Sequence, residues 1–163
     1  MKYSLLVLSA LFCIGCTHKA EPVKTGLLSI TPQYIEYENS PEAFCIAANG
    51  KAASILVSPE DWEGVVRAAN DLGNDIRKVS DTKPQIMQSD SPAPQSIVVG
   101  TVGKSPLIDQ LVADNKLDVS SIKGQWESFL IQTVDGNLVV AGSDKRGTIY
   151  GIYDISEKIG VSP

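Results

Sequence analysis

Residues 128–160 read SFLIQTVDGNLVVAGSDKRGTIYGIYDISEKIG, a stretch with the signals of two strands and a helix. Two apolar runs flank Asp135-Gly136, a dipeptide that favours a tight hairpin turn because both of its residues tolerate a positive φ. Asp144 is a typical helix N-cap, and Gly160 is typical of the position just after a helix end. The stretch therefore predicts an antiparallel hairpin followed by a helix, whose inward residues are Ile149, Ile152, Tyr153 and Ile159.

The same outline precedes it in the chain. Residues 43–48 and 52–57 are predicted strands on either side of Asn49-Gly50, a second strong hairpin signal. Ser58-Pro59-Glu60-Asp61 then predicts a helix start, with a capping hydroxyl, a proline in the first turn and acidic residues against the helix dipole. The helix is predicted to bury one apolar stripe made of Trp62, Val65, Val66, Ala69, Leu72 and Ile76.

A middle unit joins these two. An extended stretch follows Lys83-Pro84, residues 96–100 form an apolar β-branched run typical of a buried strand, and Ser105-Pro106 predicts a helix start. The predicted order is ββ-α-ββ-α-ββ-α. Since hairpins pair antiparallel and helices must cover a sheet face, we predict an α/β (α+β) sandwich. Its sheet is expected to be mixed and largely antiparallel, built from hairpins, with about three helices.

Composition excludes several classes of function. The chain has 163 residues, 43% of them hydrophobic and 20% charged, which is an ordinary globular balance. Its formal charge of −5 argues against a nucleic-acid surface, which needs clustered Lys and Arg. The one histidine, His18, lies near the N-terminus, so the folded body can hold neither a Ser-His-Asp triad nor a His-rich metal site. We predict no metal, no cofactor and no nucleic-acid partner.

The N-terminus resembles an export signal. Residues 1–15 combine Lys2 with an apolar run that is too short to span a membrane, as in a signal peptide. Gly15-Cys16 resembles a bacterial lipobox, so Cys16 is predicted to carry lipid and to anchor an exported lipoprotein in the periplasm or at the cell surface. Cys13 departs from the usual Leu at −3, and the alternative is a secreted protein with an unlipidated Cys16. Residues 16–42 are then a lipidated N-terminus and tether, and residues 43–163 the folded domain.

The residues that suggest chemistry are few. Gly100-Thr-Val-Gly103-Lys104-Ser105 follows a predicted strand, but two residues between the glycines are too few for a phosphate-binding loop, so a tight turn is favoured. The aspartates, among them Asp61, are predicted to be solvated charges at caps, turns and outer helix faces. Trp62 is predicted to be core, whereas Trp126, before a strand, is the freer tryptophan. No carboxylate pair is expected to converge as glycosidase chemistry requires.

Two glycines one turn apart, Gly147 and Gly151, indicate that something packs closely on one face of the last helix. The domain's own sheet is favoured over a second domain, because the helix already turns apolar residues inward. Trp126, Gly147 and Gly151 are therefore the candidate contacts for a sugar or for another domain, and no catalytic residue is predicted.

The end of the chain also carries a resemblance. Residues 138–163, LVVAGSDKRGTIYGIYDISEKIGVSP, resemble the end of the N-terminal domain of glycoside hydrolase family 115, the xylan α-1,2-glucuronidases. Residues 97–109, IVVGTVGKSPLID, look like the same family, and the resemblance covers about residues 43–163. In that family the domain precedes a TIM barrel that carries the catalytic carboxylates. The resemblance implies an N-terminal domain without that barrel, and no catalytic position of the family has a counterpart here.

The resemblance implies a non-catalytic module of a secreted glycosidase, inactive alone. Its parent would remove α-1,2-linked (4-O-methyl-)glucuronic acid from glucuronoxylan, with the polysaccharide and the membrane as partners and the parent a candidate homodimer. The alternative is a stand-alone lipoprotein that binds a glycan or a partner protein without catalysis. What the gene encodes after Pro163 discriminates between the two.

Overall fold

The computed structural model describes residues 34–37, 40 and 43–161 of the chain. Their strands and helices follow one another as β1 (Ala47–Ala48), β2 (Lys51–Ala52), β3 (Ser54–Val57), α1 (Glu63–Ser80), β4 (Ile86–Gln88), β5 (Ser96–Thr101), α2 (Pro106–Ala113), β6 (Phe129–Val134), β7 (Asn137–Gly142) and α3 (Lys145–Lys158).

The main sheet has five strands in the order β4-β3-β5-β7-β6, and β1 and β2 form a separate two-stranded sheet. Strands β4, β3, β5 and β7 are parallel, whereas β6 runs antiparallel to β7. Val57, Val99 and Val140 align across the three central strands. These strands are apolar at nearly every position because both of their faces are covered.

Each face of the sheet has its own core, since successive side chains of a strand point to opposite faces. Ile55 and Val57 pack under α1 and α3 in the larger core, whereas Leu56 between them packs on the other side. That second core contains Ile108 of α2, Leu117 from the segment after it, and Ala93 from the loop that joins β4 to β5. The result is a sheet between two helical layers.

The predicted fold class is confirmed: an α/β sandwich with a mixed sheet and three helices in the described part of the chain. Both hairpin turns are confirmed as well, with φ of 52° at Asn49, 71° at Gly50, 48° at Asp135 and 76° at Gly136. The expected predominance of antiparallel pairing is wrong for the main sheet, where β6–β7 alone is antiparallel among the described strands. After the first hairpin the chain passes Ala53 and enters β3. Helix α1 then carries the chain back to the end of the sheet at which β3 began, so β4 runs in the same direction as β3.

Two aromatic residues predicted to be buried are exposed. The stripe of α1 is otherwise confirmed, with Leu72 and Ile76 fully buried. The helix begins at Glu63, however, because Ser58–Asp61 forms a separate turn closed by the Asp61 N–H and the Ser58 carbonyl. Trp62 is therefore the residue before the helix, and 47% of its surface is exposed. Tyr153 is likewise exposed, and its hydroxyl donates to Asp71 on α1 instead of entering the core.

The predicted signal peptide 1–15 and the lipidated Cys16 lie outside the described residues, as does most of the predicted tether 16–42. Residues 34–37 of that tether are described and lie against α3, where Tyr34 donates a 2.6 Å hydrogen bond to Asp154 Oδ2. Burial and this bond raise the pKa of the Tyr34 hydroxyl far above its usual range. None of the helices in the described segments has the length and hydrophobicity that a membrane crossing requires.

Candidate functional site

The carboxyl ends of β3, β5 and β7 lie at one edge of the sheet, hereafter the carboxyl edge. Strand β6 begins at the same edge, since Phe129 pairs with Gly142 at the end of β7. From β3 the chain connects to β4 on one side, whereas β5 and β7 lie on the other side. Ligands of open α/β sheets bind at such a switch point, outside the carboxyl ends of the strands, so this edge is the candidate site.

Asp61 closes the crevice between β3 and β5. Its Oδ2 accepts from the Thr101 backbone N–H at 2.7 Å, and its Oδ1 accepts from the Thr101 hydroxyl at 2.9 Å. The Thr101 hydroxyl also lies 2.8 Å from that of Thr148 in α3, which extends the network to a third element. Asp61 is 6% exposed, so the prediction of a solvated charge is wrong for this residue. Its partners occupy the oxygens that a catalytic acid or base would need, and the role that the geometry supports is to join elements.

Trp62 and Lys104 stand beside this closed crevice. The backbone of Trp62 is held on both sides, because its N–H donates to Asp61 Oδ1 at 2.7 Å and its carbonyl accepts from Val65 and Val66. Lys104, in the loop after β5, places its Nζ 5.2 Å from the centroid of the Trp62 ring. An exposed aromatic ring and an ammonium group therefore meet at the switch point of the sheet.

The first turn of α3 borders the same place. Gly64 follows Trp62 closely, and a β-carbon added to it would lie 3.5 Å from Ile149 Cδ1 and 3.9 Å from Lys145 Cδ. Lys145 is exposed, and neither it nor Lys104 has a carboxylate partner within ion-pair distance among the described residues. Lys104, in the loop after β5, and Lys145, at the start of α3, thus carry ammonium groups without a carboxylate partner in the described part of the chain.

The loop between β5 and α2 is no phosphate cradle. The Gly103 N–H donates to Asp109 Oδ1 at 2.7 Å, so a carboxylate of the chain already occupies the place where an anion would bind that amide. Ser105 is the N-cap of α2, but its buried hydroxyl has no hydrogen-bond partner among the described residues. The tight turn predicted for this sequence agrees with that geometry.

Trp126 and Gly147 lie at the carboxyl edge, on the side of β6. Trp126 is 87% exposed. Ser128, two residues later, lies against Gly147: a β-carbon added to Gly147 would lie 3.0 Å from the Ser128 N and closer still to the Ser128 carbonyl oxygen. At Gly151 a β-carbon would lie 2.9 Å from Val140 Cγ1 and 3.0 Å from Phe129 Cδ2. The neighbours of both glycines are thus residues of this domain, on β6, on β7 and just before β6.

Asp144 organises this side of the edge. Its Oδ1 caps α3 by accepting from the Gly147 N–H at 2.8 Å, as predicted, and its Oδ2 accepts from the Glu127 N–H at 2.9 Å. These two backbone bonds hold the pKa of the Asp144 carboxyl below its usual value. Glu127 in turn forms a 2.9 Å ion pair with Arg146, whose guanidinium also lies over the Tyr150 ring.

Sequence reasoning missed Asp61, Trp62 and Lys104 as a group. The chain separates Trp62 from Lys104 by about 40 residues, and no local pattern announces that their loops meet. In residues 34–37, 40 and 43–161, no three side chains of His, Cys, Asp or Glu are grouped so that they could hold a metal ion.

Comparison with known proteins identifies a family that this chain matches. The sequence profile of the glycosyl hydrolase family 67 N-terminus matches residues 34–155. Among solved structures, a family GH115 4-O-methyl-α-glucuronidase, BtGH115A, with specificity for decorated arabinogalactans, is similar with a TM-score of 0.55 and 35% sequence identity. The match covers 68% of this chain and 14% of that enzyme. No curated protein matches the chain.

Proposed function

Because the chain belongs to the family of glycosyl hydrolase family 67 N-terminal domains, we propose that it serves as the non-catalytic N-terminal module of a secreted glycoside hydrolase. The profile match over residues 34–155 carries the proposal. The geometry of the carboxyl edge supports it, since the buried carboxylate there, Asp61, is fully engaged in joining β3, β5 and α3.

The parent enzyme is proposed to release α-1,2-linked glucuronic acid, or its 4-O-methyl form, from xylan. The resemblance of residues 97–109 and 138–163 to family 115 supports this substrate class. BtGH115A is described as specific for decorated arabinogalactans, so the shared feature of the two substrates is a uronic acid on a polysaccharide. The chain covers 14% of that relative, and the activity is therefore proposed for the parent and not for this chain.

Incubation of the purified chain with glucuronoxylan and with aldouronic acids tests the absence of catalysis. We expect no more uronic acid than a heat-denatured sample releases, because the chain matches an N-terminal domain and covers 14% of the related α-glucuronidase. An active α-glucuronidase in a parallel reaction controls for the substrate. Release above the denatured sample would overturn the proposal.

Lipidation at Cys16 is the second part of the proposal. The short apolar run and Gly15-Cys16 support it, and membrane anchoring of the module would follow. In a bacterial host, Cys16→Ala is expected to abolish acyl labelling and to move the protein into the soluble fraction. Cys45→Ala is the matched control, since Cys45 is a free, exposed cysteine of the described domain. Equal labelling of wild type and Cys16→Ala would reject lipidation there.

The exposed tryptophans favour one competing function, a stand-alone lipoprotein that binds a glycan. Trp126 is 87% exposed and Trp62 47%, and exposed indoles are suited to stack on sugar rings. Reading the gene past the codon for Pro163 separates the two functions. Several hundred further in-frame codons are expected for the glycosidase module, whereas a stop codon there would favour the binding lipoprotein.

A further inference from the structure

The structure assigns a binding site for a uronic-acid sugar to the switch point of the sheet, with Trp62 as the stacking platform and Lys104 as the carboxylate partner. The inference rests on the proposed function, because that function supplies a uronic acid as the substrate class. It adds a site on this module itself, which recognises the sugar without transforming it.

Hydrogen bonds fix the backbone of the platform before any ligand arrives. Asp61 is pinned to Thr101 by two hydrogen bonds, and the Trp62 N–H donates to the same carboxylate. The Trp62 carbonyl accepts from the first turn of α1. The backbone that carries the half-exposed ring is consequently fixed before binding, and a preorganised site loses less freedom when a ligand binds.

The charge beside the ring selects the ligand. A pyranose presents a face of C–H groups that packs on an indole, and a uronic acid adds a carboxylate at the ring edge. Lys104 Nζ is 5.2 Å from the Trp62 centroid, so a sugar stacked there has its carboxylate within reach of the flexible ammonium. Binding replaces the cation–π contact by a charge-assisted hydrogen bond, which is the stronger interaction.

The surroundings favour an acidic sugar over a neutral one. The side chain of Lys145, at the start of α3, passes beside the first turn of α1, where its Cδ lies 3.9 Å from a β-carbon added to Gly64. Neither Lys104 nor Lys145 is neutralised by a carboxylate among the described residues. Glu60 and Glu63 are the exposed acids next to Trp62 in the chain, and their charges oppose the ligand. Removing one of them, by Glu63→Gln, is therefore expected to strengthen binding.

NMR titration of the full chain tests the site with two probes, 4-O-methylglucuronosyl-xylobiose and neutral xylotriose. The chain has two tryptophans, and Trp62→Phe identifies which indole N–H signal belongs to Trp62. We expect this signal to shift with both sugars and the acidic sugar to bind more tightly. Lys104→Gln is expected to weaken the acidic sugar about tenfold, the effect of one charge-assisted hydrogen bond, and to leave xylotriose unchanged. Lys51→Gln, on the β1–β2 hairpin, is the matched control and should change neither affinity.

Trp62→Ala is expected to abolish the shifts that either sugar causes in the other signals of the spectrum. The variant should keep the circular dichroism spectrum of a folded domain, with a lower urea midpoint because about half of the Trp62 surface is buried. No shift of the Trp62 signal, equal affinity for the two sugars, or an unchanged affinity in Lys104→Gln would each overturn the inference. A shift confined to the Trp126 signal would also overturn it. A further overturning result is a parent enzyme in which Trp62→Ala weakens the contact with the catalytic domain but leaves sugar binding intact, since Trp62 would then be a domain contact. Release of uronic acid by the chain would refute the proposed function instead, independently of these shifts.

Discussion

Replacement of Gly147 by alanine is expected to destabilise the domain, although alanine is the better helix residue. Gly147 lies in the first turn of α3, and a β-carbon there would be 3.0 Å from both the N and the carbonyl carbon of Ser128, and closer still to its carbonyl oxygen. Real β-carbons essentially never approach backbone atoms more closely than that. Either α3 or Ser128, the residue before β6, must therefore move.

A movement of Ser128 would weaken its hydrogen bonds to Ser143. Its carbonyl accepts from the Ser143 N–H at 2.8 Å, and its N–H donates to the Ser143 hydroxyl at 3.1 Å. Overpacking of a tight contact costs roughly 1–3 kcal/mol, and a weakened backbone hydrogen bond adds about 1 kcal/mol. Against this, the helix propensity of alanine returns up to about 1 kcal/mol. The net loss in the free energy of unfolding is about 2 kcal/mol.

Gly64→Ala is the matched control for the same substitution. Gly64 is in the first turn of α1, and a β-carbon there would meet only side chains, at 3.5 Å and beyond. This variant is expected to gain about 0.5–1 kcal/mol. With a urea slope of about 1.5 kcal/mol/M, circular dichroism should place the Gly147→Ala midpoint about 1.3 M below wild type and the Gly64→Ala midpoint at or above it. Equal midpoints for the two variants would refute the reasoning from backbone contact.

Further predictions concern the same edge. Gly151→Leu is expected to lose about 1–3 kcal/mol, because Val140 and Phe129 fill the space beside Gly151; an unchanged urea midpoint at unchanged slope would move the contact to another domain. Asp61→Ala leaves a buried backbone N–H without its acceptor and should cost about 3 kcal/mol, whereas Asp109→Ala, at an exposed site, should cost under about 1 kcal/mol; similar losses would contradict the argument from burial. Asp144→Asn keeps one oxygen for the helix cap but loses the acceptor of the Glu127 N–H, so it should cost about 1 kcal/mol at pH 7, and this difference should shrink below about pH 4. The native pKa of Asp144 is depressed, so its contribution is present above the unfolded pKa and is lost as pH falls through the native one; a difference that grows on acidification would have the wrong sign.

The pairing of the strands shows where reasoning from the sequence ends. Asn49-Gly50 and Asp135-Gly136 predicted two turns correctly, because a positive φ at two adjacent residues is a property of those residues alone. The parallel pairs of β3 with β4 and β5 join residues that are about 30 to 40 positions apart. The apolar run of a strand shows that its faces are buried but does not show which strand lies beside it.

The candidate site likewise combines features that local sequence predicts with features that depend on distant residues. The sequence by itself determined the helices, the hairpin turns, the cap at Asp144 and the family resemblance, since each depends on residues within a few positions of one another. Only the tertiary structure decided that Asp61 is buried on Thr101 and that Lys104 lies over Trp62. The physical reason is that burial and the approach of two charges or rings are set by the packing of distant elements. A carboxylate in the motif Ser-Pro-Glu-Asp has the same local chemistry whether water or a buried backbone amide becomes its partner.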